Sequence, residues 1–196
     1  MKRAFDFLVA STALVVLSPV FGAIAAAVKV TDPAGPVLFA QERVGRRGRL
    51  FKIHKFRSMR VGAAGLQVTS AQDARITPVG QVIRKTKLDE LPQLWDVLVG
   101  NMSLVGPRPE VPKYVAHWPA EARDIILSVR PGITDPASVR WRNEAEELAT
   151  ATDPERHYID VILPEKARMY VDYVRSRTFV GDLKVLVSTL AAVGRG

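Results

Sequence analysis

The sequence predicts an α+β protein that is mostly helical, in which a broken apolar helix at residues 1–30 precedes one small domain at residues 31–196. Three observations favour this fold. The N-terminal stretch is long and apolar, and two short alternating segments flank a turn, as in a β-hairpin. The remaining segments place apolar residues at helical spacing beside lysine and arginine, which is typical of interfacial amphipathic helices and equally of helices that pack against a core. A length of 196 residues with 47% hydrophobic content predicts a single core.

The apolar stretch from Ala4 to Val28 carries one charge, Asp6. As a straight helix it would extend roughly 37 Å, at about 1.5 Å per residue, against a bilayer core of about 30 Å. Its length and its basic start fit a signal peptide cleaved near residues 23–25, or a helix that spans the membrane. A third interpretation is a re-entrant helix that bends and returns to the same face.

Two features favour the re-entrant helix. Ser18 and Pro19 would break the helix into two arms, each too short to cross a bilayer alone. Basic residues lie on both flanks, at Lys2 and Arg3 before the stretch and at Lys29 after it, so the positive-inside rule places both flanks in the cytoplasm. Hydropathy records length and not path, and all three interpretations therefore stay open from this segment alone.

Residues 37–43 and 50–56 predict two short strands joined by a turn at residues 45–48. The segment around this hairpin is strongly basic, and the whole chain carries a net charge of +8, from 28 basic and 20 acidic residues. This charge favours an anionic partner, which is nucleic acid, an anionic membrane surface or a phosphorylated substrate. Lys55 and Arg57, in a dense basic run, are candidates for phosphate contacts. Nucleic acid is not expected, because the motif glycines of an RNA-recognition strand are missing.

A short amphipathic helix is predicted from four apolar residues at helical spacing, Leu91, Leu94, Trp95 and Leu98. Gly100 would close this helix, and Pro92, which fits only a first helical turn, places its start at about Asp89. Asp89 and Glu90 then lie at the positive end of the helix dipole. One interpretation of the pair is structural: Asp89 is the N-cap, or it forms a capping box with Thr86.

The neighbours of this carboxylate pair favour a second interpretation, a site that handles phosphate and a divalent metal. Arg84 and Lys85 come just before the pair. After it, prolines on either side of Arg108 stiffen the backbone, which lowers the entropy lost when the guanidinium binds an anion. Glu110 is expected to orient Arg108, and Arg130 lies in another rigid turn. A structural turn with an exposed arginine is the alternative for the Arg108 loop.

The rest of the chain predicts helices separated by short breaks. Short helices are expected at residues 81–84 and 144–148, and residues 153–155 have the form of a helix start. The helix that begins there is expected to break at Pro164 and to resume over residues 166–177, before a last helix over residues 182–193. Residues 61–75 are rich in small and polar side chains and are expected to form a mobile loop.

Several common chemistries have no support in the sequence. The chain has no cysteine, which excludes disulfides, structural thiolate zinc sites and a cysteine nucleophile. It contains no G-x-S-x-G, no P-loop and no dinucleotide-binding glycine pattern. The three histidines are isolated, and no Asp-x-Asp pair of the kind used by many sugar-nucleotide enzymes occurs.

Six blocks, in order and over nearly the whole chain, resemble the small members of the bacterial sugar transferase family, the monotopic phosphoglycosyl transferases that open glycoconjugate pathways. The blocks are Lys2-Arg3-x-Phe5-Asp6 before the Ser18-Pro19 break, Gly35-Pro36-Val37-x-Phe39-x-Gln41-x-Arg43-Val44-Gly45, Lys55-Phe56-Arg57-Ser58-Met59, Leu88-Asp89-Glu90-Leu91-Pro92-Gln93, Met102-Ser103-Leu104-Val105-Gly106-Pro107-Arg108-Pro109-Glu110 and Arg130-Pro131-Gly132-Ile133-Thr134. The chain departs from the family at residues 135–140, where most members carry a Gly-Trp-Ala-Gln-Val type of segment. Sugar or nucleotide contacts are therefore not carried over to these residues.

The resemblance implies transfer of a phospho-sugar from a UDP-sugar to a polyprenyl phosphate such as undecaprenyl phosphate, with release of UMP. It implies that Asp89 is the nucleophile and forms a covalent phosphosugar intermediate, that Glu90 assists, and that the pair binds the required Mg²⁺. Substrate contacts are expected at Lys55, Arg57, Arg84, Lys85, Arg108 and Arg130. It also implies a re-entrant helix at the cytoplasmic face of the bacterial inner membrane. A non-catalytic basic module that binds membranes or nucleic acid is the alternative.

Overall fold

The computed structural model describes residues 1–62, 69 and 73–194. The fold is mostly helical and contains the β-hairpin that the sequence predicts, together with a second two-stranded sheet that it does not predict. The helices in chain order are α1 (Lys2–Val16), α2 (Ser18–Thr31), α3 (Pro78–Lys85), α4 (Gln93–Val99), α5 (Pro112–Val115), α6 (Ala120–Ile126), α7 (Pro136–Arg140), α8 (Glu144–Thr150), α9 (Pro154–His157), α10 (Leu163–Ser176) and α11 (Phe179–Gly194). The strands are β1 (Leu38–Val44), β2 (Leu50–Phe56), β3 (Ser103–Val105) and β4 (Gly132–Thr134). Most of the loop expected at residues 61–75 lies outside the described residues.

Helices α1 and α2 form an apolar pair that is bent by 61° at Leu17. The Ser18 hydroxyl donates to the Val15 carbonyl at 2.8 Å, and Pro19 lies in the first turn of α2, where its missing N–H removes no helical bond. The predicted break at these two residues is therefore confirmed. None of the described helices is by itself long and apolar enough to cross a bilayer, whereas α1 and α2 together meet both criteria. The large apolar side chains that the pair exposes include Phe7, Leu8, Val15, Val16, Val20 and Val30.

Both ends of the bent pair are attached to the domain that follows it. At the start, the Arg3 guanidinium donates to carbonyls at the end of α4, and the buried Asp6 carboxylate accepts from the Ser103 hydroxyl at 2.8 Å. At the other end, Asp32 forms an ion pair with the buried Arg57. The bent pair therefore leaves this domain and returns to it.

Strands β1 and β2 form the predicted antiparallel hairpin, with Leu38 opposite Phe56. A 3₁₀ turn, Arg46–Gly48, joins them. The hairpin is tied to α4 because the backbone N–H of His54 donates to the Asp96 carboxylate at 2.9 Å. This contact brings β2 against the helix that follows the Asp89-Glu90 pair.

The sequence does not predict β3 and β4, which pair in parallel with Ser103 opposite Gly132. Each strand is too short to show the alternation that marks a strand. The two backbones approach so closely that a Cβ on Gly132 would lie 2.1 Å from the Gly106 nitrogen, so only glycine fits there. The pairing sets the loop after β3, which carries Arg108, beside the turn before β4, which carries Arg130.

Helix α4 begins at Gln93 and not at Asp89, because Leu88–Glu90 forms a separate 3₁₀ turn. The predicted apolar face is only partly correct. Leu94 is buried as expected, but Trp95 is 53% exposed. Gly100 ends the helix, as predicted, with a left-handed φ of 91°.

The break expected at Pro164 is wrong. A π-helical turn, Tyr158–Ile162, runs directly into α10, so the backbone stays helical through this proline. The wider turn changes the hydrogen-bond register, and Pro164 then falls at the start of α10, where its missing N–H costs little. Leu163 and Tyr170 are fully buried, which makes α10 the centre of the larger hydrophobic core.

Candidate active site

Asp89 and Glu90 lie in the 3₁₀ turn between α3 and α4. The turn follows Lys87, whose φ of 58° is left-handed. Among the described residues, no side chain caps this turn or the start of α4, and the Thr86 hydroxyl donates instead into the last turn of α3 at 2.8 Å. The capping interpretation of the pair is therefore wrong.

Glu90 is held by two cations from distant parts of the chain. Lys55 Nζ, on β2, lies 2.9 Å from Glu90 Oε1, and Arg108 Nη1 lies 3.0 Å from Glu90 Oε2. A second Arg108 nitrogen bonds Oε1, so the guanidinium binds the carboxylate with both prongs. Burial by itself raises the pKa of Glu90, but Arg108 and Lys55 outweigh it and hold this pKa well below its ordinary value. Glu90 is therefore ionised, with both oxygens occupied.

Asp89, unlike Glu90, has no bound cation among the described residues. The residue is 5% exposed, and within the described part of the chain no hydrogen bond or ion pair reaches its carboxylate. Burial raises the pKa of Asp89 above its ordinary value of 3.8, while the charge of Lys55 opposes this rise and the charge of Glu90 adds to it. A poorly solvated carboxylate with free lone pairs has the properties of a nucleophile or a metal ligand.

Lys55, Asp89, Glu90 and Arg108 together form what we call the carboxylate cluster. Burial lowers the pKa of Lys55, although Glu90 opposes this change. The charge of Glu90 raises the pKa of Arg108 well above its ordinary value. The cluster thus brings together the predicted pair and two of the six predicted substrate contacts.

Two further predicted contacts lie on α3. Arg84 Nη1 is 3.4 Å from the Ser58 hydroxyl, and the charge of Arg84 favours the ionised form of Asp89. Lys85 is exposed. Arg84 therefore borders the carboxylate cluster, whereas Lys85 faces solvent.

The structure places Arg57 and Arg130 in other contacts. Arg57 pairs with Asp32, and its Nε donates to the Pro36 carbonyl at 2.7 Å, so it joins the end of α2 to the domain. Arg130 Nε donates to the Gly100 carbonyl at 2.8 Å, at the end of α4. Phosphate binding by these two arginines stays a prediction, since their observed contacts are structural.

Glu110 was expected to orient Arg108, but it does not bind Arg108. Its Oε1 accepts from the Tyr158 hydroxyl at 2.6 Å, and its Oε2 lies 3.5 Å from Arg43 Nη1, while Glu90 binds Arg108 instead. Tyr158 stands 48 positions away in sequence, so no local pattern marks this contact. Glu110 therefore anchors the end of the Arg108 loop in the interior.

The described residues contain no group of three or more His, Asp or Glu side chains that could hold a metal ion. Mg²⁺ at phosphate-transfer sites is usually bound by one or two carboxylates, and substrate phosphates and waters complete its coordination. Asp89 fits this pattern because its oxygens are free of donors. Glu90 would first have to exchange a contact with Lys55 or Arg108, so its predicted role as a ligand needs a rearrangement.

The whole chain, residues 1–196, matches the family described as bacterial sugar transferase. The chain belongs to this family. The resemblance carried by the six sequence blocks is therefore confirmed. Two of the sequence blocks shared with the bacterial sugar transferase family are the Asp89-Glu90 turn and the Arg108 loop. The fold brings these two blocks together, because Arg108 binds Glu90.

Individual members of the bacterial sugar transferase family differ in length. A UDP-glucose:undecaprenyl-phosphate glucose-1-phosphate transferase of Escherichia coli (strain K12) is 37% identical over 195 residues, which cover 97% of this chain and 39% of that protein. A UDP-N-acetylgalactosamine-undecaprenyl-phosphate N-acetylgalactosaminephosphotransferase of Aeromonas hydrophila is 41% identical over 165 residues, 81% of this chain and 39% of that protein. The chain thus spans about two fifths of the length of these two relatives. The exopolysaccharide production protein PSS of Rhizobium leguminosarum bv. phaseoli is 47% identical over 213 residues, 98% of this chain and 94% of that protein.

The segment in which this family member departs from the usual pattern forms α7. The Asp135 carboxylate caps the helix, because it accepts from the Ala137 backbone N–H and from the Ser138 hydroxyl, each at 2.6 Å. Burial raises the pKa of Asp135, and the charge of Arg108 opposes this rise. Asp135 is therefore close enough to Arg108 for its pKa to respond to that charge, while the hydrogen bonds of the Asp135 side chain stay within α7.

Proposed function

We propose that the chain is a phosphoglycosyl transferase, which moves a phospho-sugar from a UDP-sugar to a polyprenyl phosphate such as undecaprenyl phosphate. The products are UMP and a polyprenyl diphosphosugar. The observation that carries the proposal is the buried Asp89 carboxylate, which no described residue binds and whose pKa responds to the charges of Lys55, Glu90 and Arg84. The names of the relatives, transferases that use UDP-sugars and undecaprenyl phosphate, support the same class of reaction.

Asp89 acts as the nucleophile in two successive displacements. In the first, a bond forms between an Asp89 carboxylate oxygen and the phosphorus nearest the sugar, and the bond from this phosphorus to the bridging oxygen breaks, so that UMP leaves. In the second, a phosphate oxygen of the polyprenyl phosphate attacks the same phosphorus, and the carboxylate is released. The intermediate is a covalent phosphosugar-aspartate, and the two steps balance without an added proton or electron.

This reaction requires positive charge near the transferred phosphoryl group, and the cations of the cluster supply it. Lys55 and Arg108 are positioned to stabilise the negative charge of the transferred phosphoryl group. Glu90 holds both of them in place, so its role is to position them. Lys55 and Arg84 favour the ionised form of Asp89 against the effect of burial, and only the ionised form is a nucleophile.

The cofactor implied by this reaction class is Mg²⁺. Asp89 would hold it together with the phosphates of the donor, because Asp89 is the carboxylate of the cluster with free oxygens. When bound, the ion would supply positive charge that offsets the negative charge of the donor's diphosphate group. Glu90 would join as a ligand only after Lys55 or Arg108 moved away.

We infer that α1 and α2 form a re-entrant helix, and that the protein is monotopic at the cytoplasmic face of the bacterial inner membrane. The apolar side chains exposed on this pair support membrane insertion. The attachment of both ends of the pair to one domain supports a return to the same face. Lys2, Arg3 and Lys29 would then share the cytoplasmic side. At the headgroup level, a soluble nucleotide and a lipid-borne phosphate can both reach Asp89.

Release of UMP from a panel of UDP-sugars, with undecaprenyl phosphate and Mg²⁺, tests the reaction. Asp89→Asn should abolish this release, whereas Asp172→Asn, at an exposed position of α10, should leave it unchanged. When the UDP-sugar carries a radiolabel in its sugar, the parent protein should retain label covalently and the Asp89→Asn variant should retain none. Near-normal turnover of Asp89→Asn would exclude Asp89 as the nucleophile. Salt-sensitive binding to anionic membranes without any reaction would favour the non-catalytic module.

A further inference from the structure

We propose that Arg3, in the first turn of α1, is a positioning residue for the carboxylate cluster. Arg3 contacts none of the four cluster side chains. It acts on the far end of α4, the helix that begins three residues after Glu90. This inference rests on the proposed function, since it takes the carboxylate cluster to be the site of the reaction.

Arg3 binds the C-terminal end of α4 with both terminal nitrogens. Its Nη1 donates to the Val97 carbonyl at 2.5 Å, and its Nη2 donates to the Leu98 carbonyl at 2.7 Å. The Val97 carbonyl also accepts from the Gly100 backbone N–H at 3.1 Å, so Arg3 adds a second donor there, and a cation at the C-terminal end of a helix is favoured by the helix dipole. The contact therefore stabilises the last turn of α4 from outside the helix.

Gly100 leaves room for this contact. A Cβ at Gly100 would lie 3.3 Å from Arg3 Nη2, which is tighter than ordinary contact. The carbonyl of Gly100 also accepts from Arg130 Nε at 2.8 Å. Two arginines therefore hold the end of α4, one from the apolar pair and one from the turn before β4.

Helix α4 is short and well anchored, so a displacement at its end reaches its start. Its seven residues give a length of about 10 Å, at about 1.5 Å per residue. Val97 and Asp96 are fully buried in the domain, which favours movement of the helix as one body. A misplacement of about 1 Å at reacting groups can cost about a hundredfold in rate. The register that Arg3 imposes on α4 is therefore passed to Asp89 and Glu90.

The other charged residues at the start of α1 bind different elements. Lys2 Nζ lies 2.5 Å from Asp182 Oδ2 on α11, and Asp6 accepts from the Leu104 backbone N–H of β3 at 3.3 Å. Of these three charged residues, Arg3 is the one whose side chain bonds α4. Its effect on the cluster can therefore be separated from general attachment of α1.

Arg3→Lys tests the proposal, because lysine keeps the positive charge next to the apolar stretch but cannot make the two-pronged contact. We expect an unchanged membrane-bound fraction, an unchanged KM for the UDP-sugar, and a kcat for UMP release lower by about tenfold or more. Backbone amides of residues 95–102 should exchange hydrogen faster than in the parent protein. Arg156→Lys, at a side chain that is 80% exposed on α9, is the matched control and should change none of these quantities.

A second variant, Gly100→Asn, disturbs the same contact from the α4 side. Asparagine accepts the left-handed backbone at this position, but its Cβ would press against the Arg3 guanidinium, so kcat should fall in the same way. An unchanged kcat together with unchanged exchange in Arg3→Lys would overturn the proposal. Loss of the Arg3→Lys protein from the membrane in parallel with kcat would assign Arg3 to insertion and would overturn it as well. If the parent protein released no UMP, the proposed function would fail, whereas the exchange measurement would still decide whether Arg3 holds α4.

Discussion

The Arg108 guanidinium binds both carboxylate oxygens of Glu90, and Lys55 binds one of the same oxygens at 2.9 Å. Asp89, one position earlier, has no such contact among the described residues. The pKa of Glu90 is lowered as a result, while the pKa of Asp89 is raised by burial. Paired carboxylates whose pKa values move apart commonly take different chemical roles, and the mechanism that we propose assigns positioning to Glu90 and nucleophilic attack to Asp89.

Arg108→Lys should reduce kcat/KM for UMP release by roughly 10- to 100-fold, because a single ammonium replaces a two-pronged contact while the charge of the cluster is kept. Steady-state kinetics in a defined detergent or bilayer measure this change. Arg175→Lys, at an exposed side chain of α10, is the control and should behave like the parent protein. A turnover of Arg108→Lys within twofold of the parent would contradict a role for the bidentate contact.

Glu90→Gln should lower the free energy of unfolding by about 3 kcal/mol, because it leaves Lys55 and Arg108 in the interior without their anion. The shift in the midpoint of denaturant unfolding measures this loss, and Glu146→Gln on the exposed face of α8 is the control. Since the folded-state pKa of Glu90 is depressed, its contribution should be complete above the unfolded-state pKa and should disappear as pH falls through the folded value. Equal midpoints for both variants would contradict the importance of the cluster for stability.

The rate of UMP release should fall on the acid side as Asp89 takes up a proton, with a midpoint above the ordinary value of 3.8 because burial raises the pKa of Asp89. Lys55→Gln should move this midpoint to higher pH, since it removes a charge that favours the ionised form. The raised folded-state pKa also means that ionisation of Asp89 lowers stability as pH rises toward that value. Single-turnover rates across pH measure the midpoint, with Lys113→Gln as an exposed control. A midpoint that is the same in Lys55→Gln and the parent would contradict this coupling.

Ser18→Ala combined with Pro19→Ala should let α1 and α2 join into one helix of about 45 Å, long enough to cross a bilayer. Because the chain contains no cysteine, single cysteines at the exposed Ala4 and Ala34 can report sidedness by labelling with an impermeant maleimide. Both should label from the cytoplasmic side in the parent background. In the double variant, part of the population should label at position 4 from the opposite side. An unchanged pattern would mean that the contacts of α1 with the domain, and not the proline, maintain the bend.

Features with a local sequence signal were predicted well. The hairpin strands were expected at residues 37–43 and 50–56, and the structure has them at Leu38–Val44 and Leu50–Phe56. The helix start predicted at residues 153–155 is also present, and Asp153 is its N-cap, since its carboxylate accepts from the Arg156 backbone N–H at 3.0 Å. In each case the deciding information, a turn, an alternation or a cap, lies within a few residues.

Features that join distant segments were not predictable in this way. Arg57 lies in a basic motif from which a phosphate contact was predicted, yet its side chain forms an ion pair with Asp32, 25 positions earlier in the chain. The parallel β3–β4 pair joins short strands with no pattern of their own. The family resemblance named both members of the Glu90–Arg108 contact but not the contact itself, because only the folded chain determines which carboxylate the arginine reaches.

The two attachment points of the bent apolar pair have a mechanical consequence. A body tethered at one point can swing about it, but this domain is held at the start of α1 through Asp6 and at the end of α2 through Asp32. Two separated tethers remove most of that rotation. Relative to any surface in which the pair lies, the domain that carries Asp89 would keep one height and one tilt.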